Sequence, residues 1–166
     1  MKKLVLVLAL VFIASPALAM NVTLNPYASG HLYEDAENAM GMGLDAKLTD
    51  LGVDNLSVTT GLESVQTEIG STDLDVLDWK SSVGYEVAIT ENLSVTPKVG
   101  FDVYFLNTDG SSSVDNSSGI HTGVDLAYNV AEDISVSAGV TYSWADEQDG
   151  VNLDNLAFTA GVSIAL

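Results

Sequence analysis

From residue 22 to its end the chain alternates hydrophobic and polar residues in eight segments, roughly 22–33, 40–50, 55–65, 77–90, 93–106, 119–130, 134–145 and 155–166. A period of two predicts β-strands, because successive side chains on a strand point to opposite faces. One face of each segment is apolar and uncharged, from Val22, Leu24, Ala28 and Leu32 in the first to Leu156, Phe158, Ala160, Val162, Ile164 and Leu166 in the last. The other face gathers Lys47, Lys80 and Lys98 with Asp45, Glu63, Asp78, Glu86, Asp102 and Asp125. His31, His121, Tyr27, Tyr104 and many Ser, Thr and Gly residues share it. Glycine weakens a strand unless curvature or a bulky neighbour needs the space, and a small closed barrel with large polar side chains inside supplies both needs.

The connections alternate in length. Short links are expected around Asp50 to Asn55, at Glu91-Asn92 and at Ala131 to Asp133. Longer polar links are expected around Gln66 to Val76, Asn107 to Ser118 and Asp146 to Asp154, all at one end. Alternation does not itself say whether the apolar face points inward, as in a soluble lipocalin-like barrel, or toward lipid. Three features favour lipid. Trp79, Phe105, Trp144 and Phe158 stand near the long-loop ends of the apolar face, where an interfacial aromatic girdle belongs. The opposite face mixes ions and glycines as a confined lumen would. The segments also match the ~9–11 tilted residues that cross a bilayer. The expected fold is all-β, an eight-stranded antiparallel up-and-down transmembrane β-barrel.

The first residues read as an address. Lys2 and Lys3 precede an apolar run from Leu4 to Ala14, Ser15-Pro16 breaks it, and Ala17-Leu18-Ala19 offers a cleavage site. Residues 1–19 are therefore expected to be a cleaved secretory signal peptide, and 20–166 a single barrel domain. Removing it leaves three lysines against 23 carboxylates, a formal charge of −20. Such an acidic chain lacks the cations that nucleic-acid binding requires. The absence of cysteine excludes disulfides, thiolate metal sites and a cysteine nucleophile.

Inside the barrel, Lys47 is expected near Asp45 or Glu63, and Lys98 near Glu86 or Asp102. A lumen this narrow is filled by side chains, so an ion-pair plug is favoured over a pore. Three lysines against six carboxylates would make any pore prefer cations. His31 and His121 face inward near the long-loop end, and ordinary hydrogen bonding is favoured over a metal or proton site with Asp78 or Asp125. Ser143 with either histidine and a carboxylate makes a triad on paper, but no catalytic motif accompanies it, and no catalytic residue, cofactor or resident metal is assigned. The acidic segments 107–116 and 146–150 have oxygen ligands at short spacing, so calcium or magnesium is the partner weighed there, but solvated loops kept soluble by charge are favoured over a cation site.

The chain resembles the small eight-stranded outer-membrane β-barrels of Gram-negative bacteria, the broad group around OmpA, OmpX and OmpW. The resemblance covers the segment from Met20 to Leu166. Its most local motif is Thr159-Ala160-Gly161-Val162-Ser163-Ile164-Ala165-Leu166, which matches the assembly-signal pattern through Gly161, Ile164 and Leu166. The group usually ends in an aromatic residue where this chain has Leu166. The resemblance implies residence in the outer membrane with both termini periplasmic, contact with outer-membrane lipid and lipopolysaccharide, and handling by the outer-membrane assembly machinery. No segment follows the last predicted strand, so no peptidoglycan-binding domain of the OmpA kind is expected. A structural or porin-like role is expected, with at most a narrow cation-preferring pore. A surface interaction protein acting through acidic extracellular loops is the alternative, and a lipid-modifying enzyme ranks third.

Overall fold

The alternating segments fold as strands that pair in order and close on themselves. A computed structural model describes residues 21–34, 36–69, 72–108, 115–146 and 152–166. The signal segment 1–19 lies outside them, as does most of the acidic segments 107–116 and 146–150. The strands are β1 (Asn21–Tyr33), β2 (Ala39–Thr49), β3 (Leu56–Ile69), β4 (Thr72–Tyr85), β5 (Val87–Ala88), β6 (Leu93–Thr108), β7 (Asp115–Ala131), β8 (Ile134–Ala145) and β9 (Asn155–Ala165). Every pairing is antiparallel between chain neighbours. The short β5 continues β4 past Glu86 along the same partner, β6, so the two make one stave. Pairing of β1 with β9 closes eight staves into a barrel. Closure satisfies the strand amides that an open edge would leave bare in hydrocarbon.

The register places the apolar face outside. Met40, Met42, Val83, Phe101, Ile120, Val136 and Phe158 are all exposed. A continuous apolar exterior of this extent is built for lipid rather than water. The lysines, carboxylates and histidines named above face the lumen. Glycine makes room there: a Cβ on Gly43 would lie 2.3 Å from Tyr27 Cζ, because the tyrosine ring lies over that glycine on the neighbouring strand.

The two ends differ. At one end the turns are tight. The link between β2 and β3 uses left-handed backbone at Asp50 (φ 57°), Gly52 (φ 81°) and Asn55 (φ 64°), residue types that tolerate it. At the other end the structure corrects the sequence reading. The stretch from Gln66 to Val76, expected as a polar link, is mostly strand, since β3 runs to Ile69 and β4 starts at Thr72. Likewise β6 reaches Thr108 and β7 starts at Asp115.

In this extension the polarity of the wall reverses. Val65, Leu74 and Val76 point inward and are buried, while Ser64, Gln66 and Asp75 point outward. Gln66 Nε2 donates to Asp75 Oδ1 across the strands at 3.0 Å. The barrel therefore has a lipid-facing belt with a polar lumen, surmounted by a collar with a polar exterior and an apolar interior.

Candidate functional site

The lumen is layered along its axis. Its uppermost layer is the interior of the collar, where Ala39, Val65, Leu74, Val76, Tyr104 and Leu153 form one buried apolar cluster. Leu153 comes from the connection preceding β9. Asp154 anchors that connection, its Oδ1 accepting from the Ala145 amide at 2.8 Å and its carbonyl from the Glu34 amide at 3.0 Å.

Below the cap lies a dry polar layer. Glu63 is 1 % exposed and accepts from Lys80 Nζ and from Ser29 Oγ. His31 Nε2 stands 2.9 Å from Glu63 Oε1, and its Nδ1 stands 3.1 Å from Asn155 Oδ1. Lys80 also reaches Asp78 Oδ2 at 3.3 Å. On the facing wall His121 Nδ1 lies 2.7 Å from Asp102 Oδ1, and Tyr104 donates to Asp102 Oδ2 at 3.2 Å. Asp102 is 0 % exposed, so no water fits beside it. Among the described residues Asp78 Oδ1 is the one buried side-chain polar atom without a hydrogen-bond partner. The Lys80 charge compensates that carboxylate by proximity.

The lower half is wet. Lys47 Nζ pairs with Glu86 Oε2 at 2.5 Å, and Lys98 Nζ with Asp125 Oδ1 at 2.9 Å. The Glu86 and Asp125 side chains are 38 % and 37 % exposed. A vestibule of about 540 Å³ opens at the short-turn end, lined in part by Lys47, Asn55, Glu86 and Asn129. A smaller space of about 100 Å³ continues upward between Asp45, Lys98 and Asp125 and ends beneath Tyr27, Lys80 and His121.

The structure thus brings the expected charged residues into one lumen and pairs them differently. Lys47 meets Glu86, not Asp45 or Glu63, because the lysine lies at the short-turn end of β2 and Glu86 reaches it from across the mouth. Lys98 meets Asp125 on the adjacent β7 in place of Glu86 or Asp102. Lys80 holds Glu63 and Asp78. Asp45 lies over Gly61 on the neighbouring strand, where a Cβ would collide with its carboxylate.

Ser143 sits directly opposite His121 across β7 and β8, and His121 bonds Asp102, so the three types weighed for a triad do converge. All three are buried in the dry layer and face the lumen, away from lipid. Among the described residues no group of three His, Asp or Glu side chains is arranged to hold a metal ion.

Trp79, Phe105, Trp144 and Phe158 all project outward. Trp79 packs edge-on to Phe101 at 5.6 Å and donates to Thr60 Oγ1 at 3.0 Å. Tyr142 packs against Trp144 at 4.7 Å. Tyr85 on β4 and Tyr128 on β7 are also exposed on the exterior, toward the short-turn end, and sequence reasoning did not single them out for a girdle. Of the assembly-signal residues, Gly161 faces inward opposite Tyr27, while Ile164 and Leu166 face outward. The apolar cap was also missed. Its signal is present in Asp73-Leu74-Asp75-Val76, which alternates cleanly but with the parity of the belt inverted.

A family model described as outer membrane protein beta-barrel domain matches residues 5–165. The fold is similar to Neisserial surface protein A (TM-score 0.69, 15 % identity, covering 87 % of this chain and 96 % of that one). It is similar to a major outer membrane protein from Thermus thermophilus (TM-score 0.65, 14 % identity, 87 % and 99 %). It is also similar to the outer membrane protein OprG from Pseudomonas aeruginosa (TM-score 0.60, 13 % identity, 90 % and 96 %). A comparison with curated protein sequences gave no match.

Proposed function

The chain belongs to the outer membrane protein β-barrel family, and from that premise we propose that it is a structural, non-conducting and non-enzymatic barrel of the outer membrane. The short-turn end faces the periplasm and the collar faces outward. The observation that carries this reading is the dry layer. A water path along the axis would have to wet Glu63, Asp78, Asp102, His31 and His121, which are 1, 2, 0, 3 and 3 % exposed. Above them the apolar cap gives an ion nothing to replace its hydration shell. The vestibule below is then a blind one.

The same layer supports a non-enzymatic role. Ser143 faces the lumen beneath the cap, so a lipid in the bilayer has no path to its hydroxyl. The acidic collar would repel polyanions. A surface-interaction role for it would call for a basic partner or bridging cations.

The test is conductance of the folded protein in a planar bilayer under a salt gradient. Insertion without discrete current steps is expected. Regular cation-selective steps would overturn the reading and make the carboxylate-lined lumen a channel.

A further inference from the structure

Two of the eight seams between staves lose their pairing and then resume it in unchanged register. Between β1 and β9 the ladder runs Thr23↔Ala165 and Leu24↔Ile164, stops, and resumes at Tyr27↔Gly161. Between the β4–β5 stave and β6 it stops after Gly84↔Lys98 and resumes at Val87↔Val95. Each gap contains a proline, Pro26 in the first and Pro97 in the second, and the two gaps lie on opposite sides of the barrel.

The ladder explains why. Antiparallel pairs alternate between hydrogen-bonded and non-bonded types. The Leu166 amide bonds the Val22 carbonyl at 2.9 Å, which makes Val22 with Leu166 a bonded pair. Alternation then makes Leu24 with Ile164, Pro26 with Val162, and Ala28 with Ala160 bonded pairs as well. Proline has no amide proton, so Pro26 donates nothing to the Val162 carbonyl in the wall.

The two gaps are not equally supported. Beside Pro97 the turn before β3 backs the wall, where the Glu86 amide bonds the Asn55 carbonyl at 2.8 Å. Beside Pro26 a side chain does the work from within. Asn25 Oδ1 accepts from Ser163 Oγ on β9 at 3.2 Å and from Ser137 Oγ on β8 at 3.0 Å. Asn25, Ser137 and Ser163 line the wet space of the lower lumen, so water competes for those bonds.

The geometry points to a latched lateral opening at the β1–β9 seam, with Pro26 as the missing backbone tie and Asn25 as the latch. The blind lower lumen then has a second communication, sideways through the wall at the level of Pro26. Opening is local: it breaks the bonds flanking the gap and leaves the dry layer above intact.

The test is amide hydrogen exchange by NMR on the full chain in bilayer nanodiscs. The β7–β8 seam, unbroken from Gly119 to Asn129, is the internal reference. The amides of Leu24, Ala28, Ala160 and Ile164 are expected to exchange about tenfold faster than those of Val124, Leu126, Ala138 and Val140, as local opening requires. Pro26→Val restores the donor and should bring the first set to the level of the second. Asn25→Ala should speed the first set further and leave the second unchanged. Equal exchange at the two seams in the unaltered chain, or exchange at Leu24 and Ile164 that Pro26→Val does not slow, would overturn the proposal. Should the Asn25→Ala barrel not fold, the Pro26→Val comparison decides.

Discussion

Glu63 and Glu86 are both glutamates paired to a lysine inside the same barrel, and they live in different solvents. The Glu63 side chain is 0 % exposed, shares Lys80 with Asp78 and is also bonded by His31 and Ser29, while the Glu86 side chain is 38 % exposed and has Lys47. The difference lies in what fills the space around each pair. Around Glu63 stand Ser29, His31 and Val65, buried side chains that leave it no exposed surface. Around Glu86 stand Asn, Ser and Ala at an open mouth. One residue type at equivalent lumen positions thus makes a seal at one height and a solvated lining at another.

The largest effect should come from breaking the seal. Lys80→Met leaves Glu63 and Asp78 buried without their cation, and removing one partner of a buried ionic group costs about 3–5 kcal/mol. Urea unfolding in lipid vesicles measures it. A loss near zero would mean that water reaches the layer, and with it the distinction between the halves would fall. Next is the boundary between belt and collar. Leu126→Arg puts a charge on the lipid face of the belt and should cost about 2–4 kcal/mol, whereas Gln66→Arg on the collar exterior should cost about 0–1 kcal/mol. Equal costs would place both positions in one medium and erase the polarity reversal. Smaller again is Gly43→Val, whose Cβ would meet the Tyr27 ring. Overpacking of this kind costs about 1–3 kcal/mol, read as the same unfolding shift.

How much of this was legible follows from what a period of two carries. Strand number, order, and the side each residue takes are properties of alternation, and Lys47, Lys80 and Lys98 fall inside with their carboxylates as the pattern requires. The partners are not a property of alternation. Whether Lys47 reaches Asp45, Glu63 or Glu86 depends on the stagger of the staves and the width of the lumen, neither of which parity encodes. The collar was misread for a different reason. Leu74 and Val76 alternate with aspartates, but the reversed parity made the stretch read as a polar link. A strand that leaves lipid for water must invert its faces, and only the height of the bilayer against the chain says where. The seam at Pro26 was visible as a proline within a strand; that its missing amide faces β9 depends on which pairs of the ladder are bonded.

The smallest predicted effect sharpens the comparison most. Lys47→Met removes the partner of Glu86 just as Lys80→Met removes that of Glu63. At the open mouth the freed carboxylate keeps its water, and the pair gives up only what an accessible ion pair contributes, about 0–1 kcal/mol. The methionine retains most of the apolar stem of the lysine, so packing changes little. High salt should shrink even this difference, because solvent ions screen exposed charges, while leaving the Lys80→Met penalty nearly intact. Unfolding measured for both variants at low and high salt therefore separates the two media directly. A Lys47→Met penalty as large and as salt-insensitive as that of Lys80→Met would show the lower lumen to be as dry as the upper. The vestibule would then be no more than a dimple at the short-turn end.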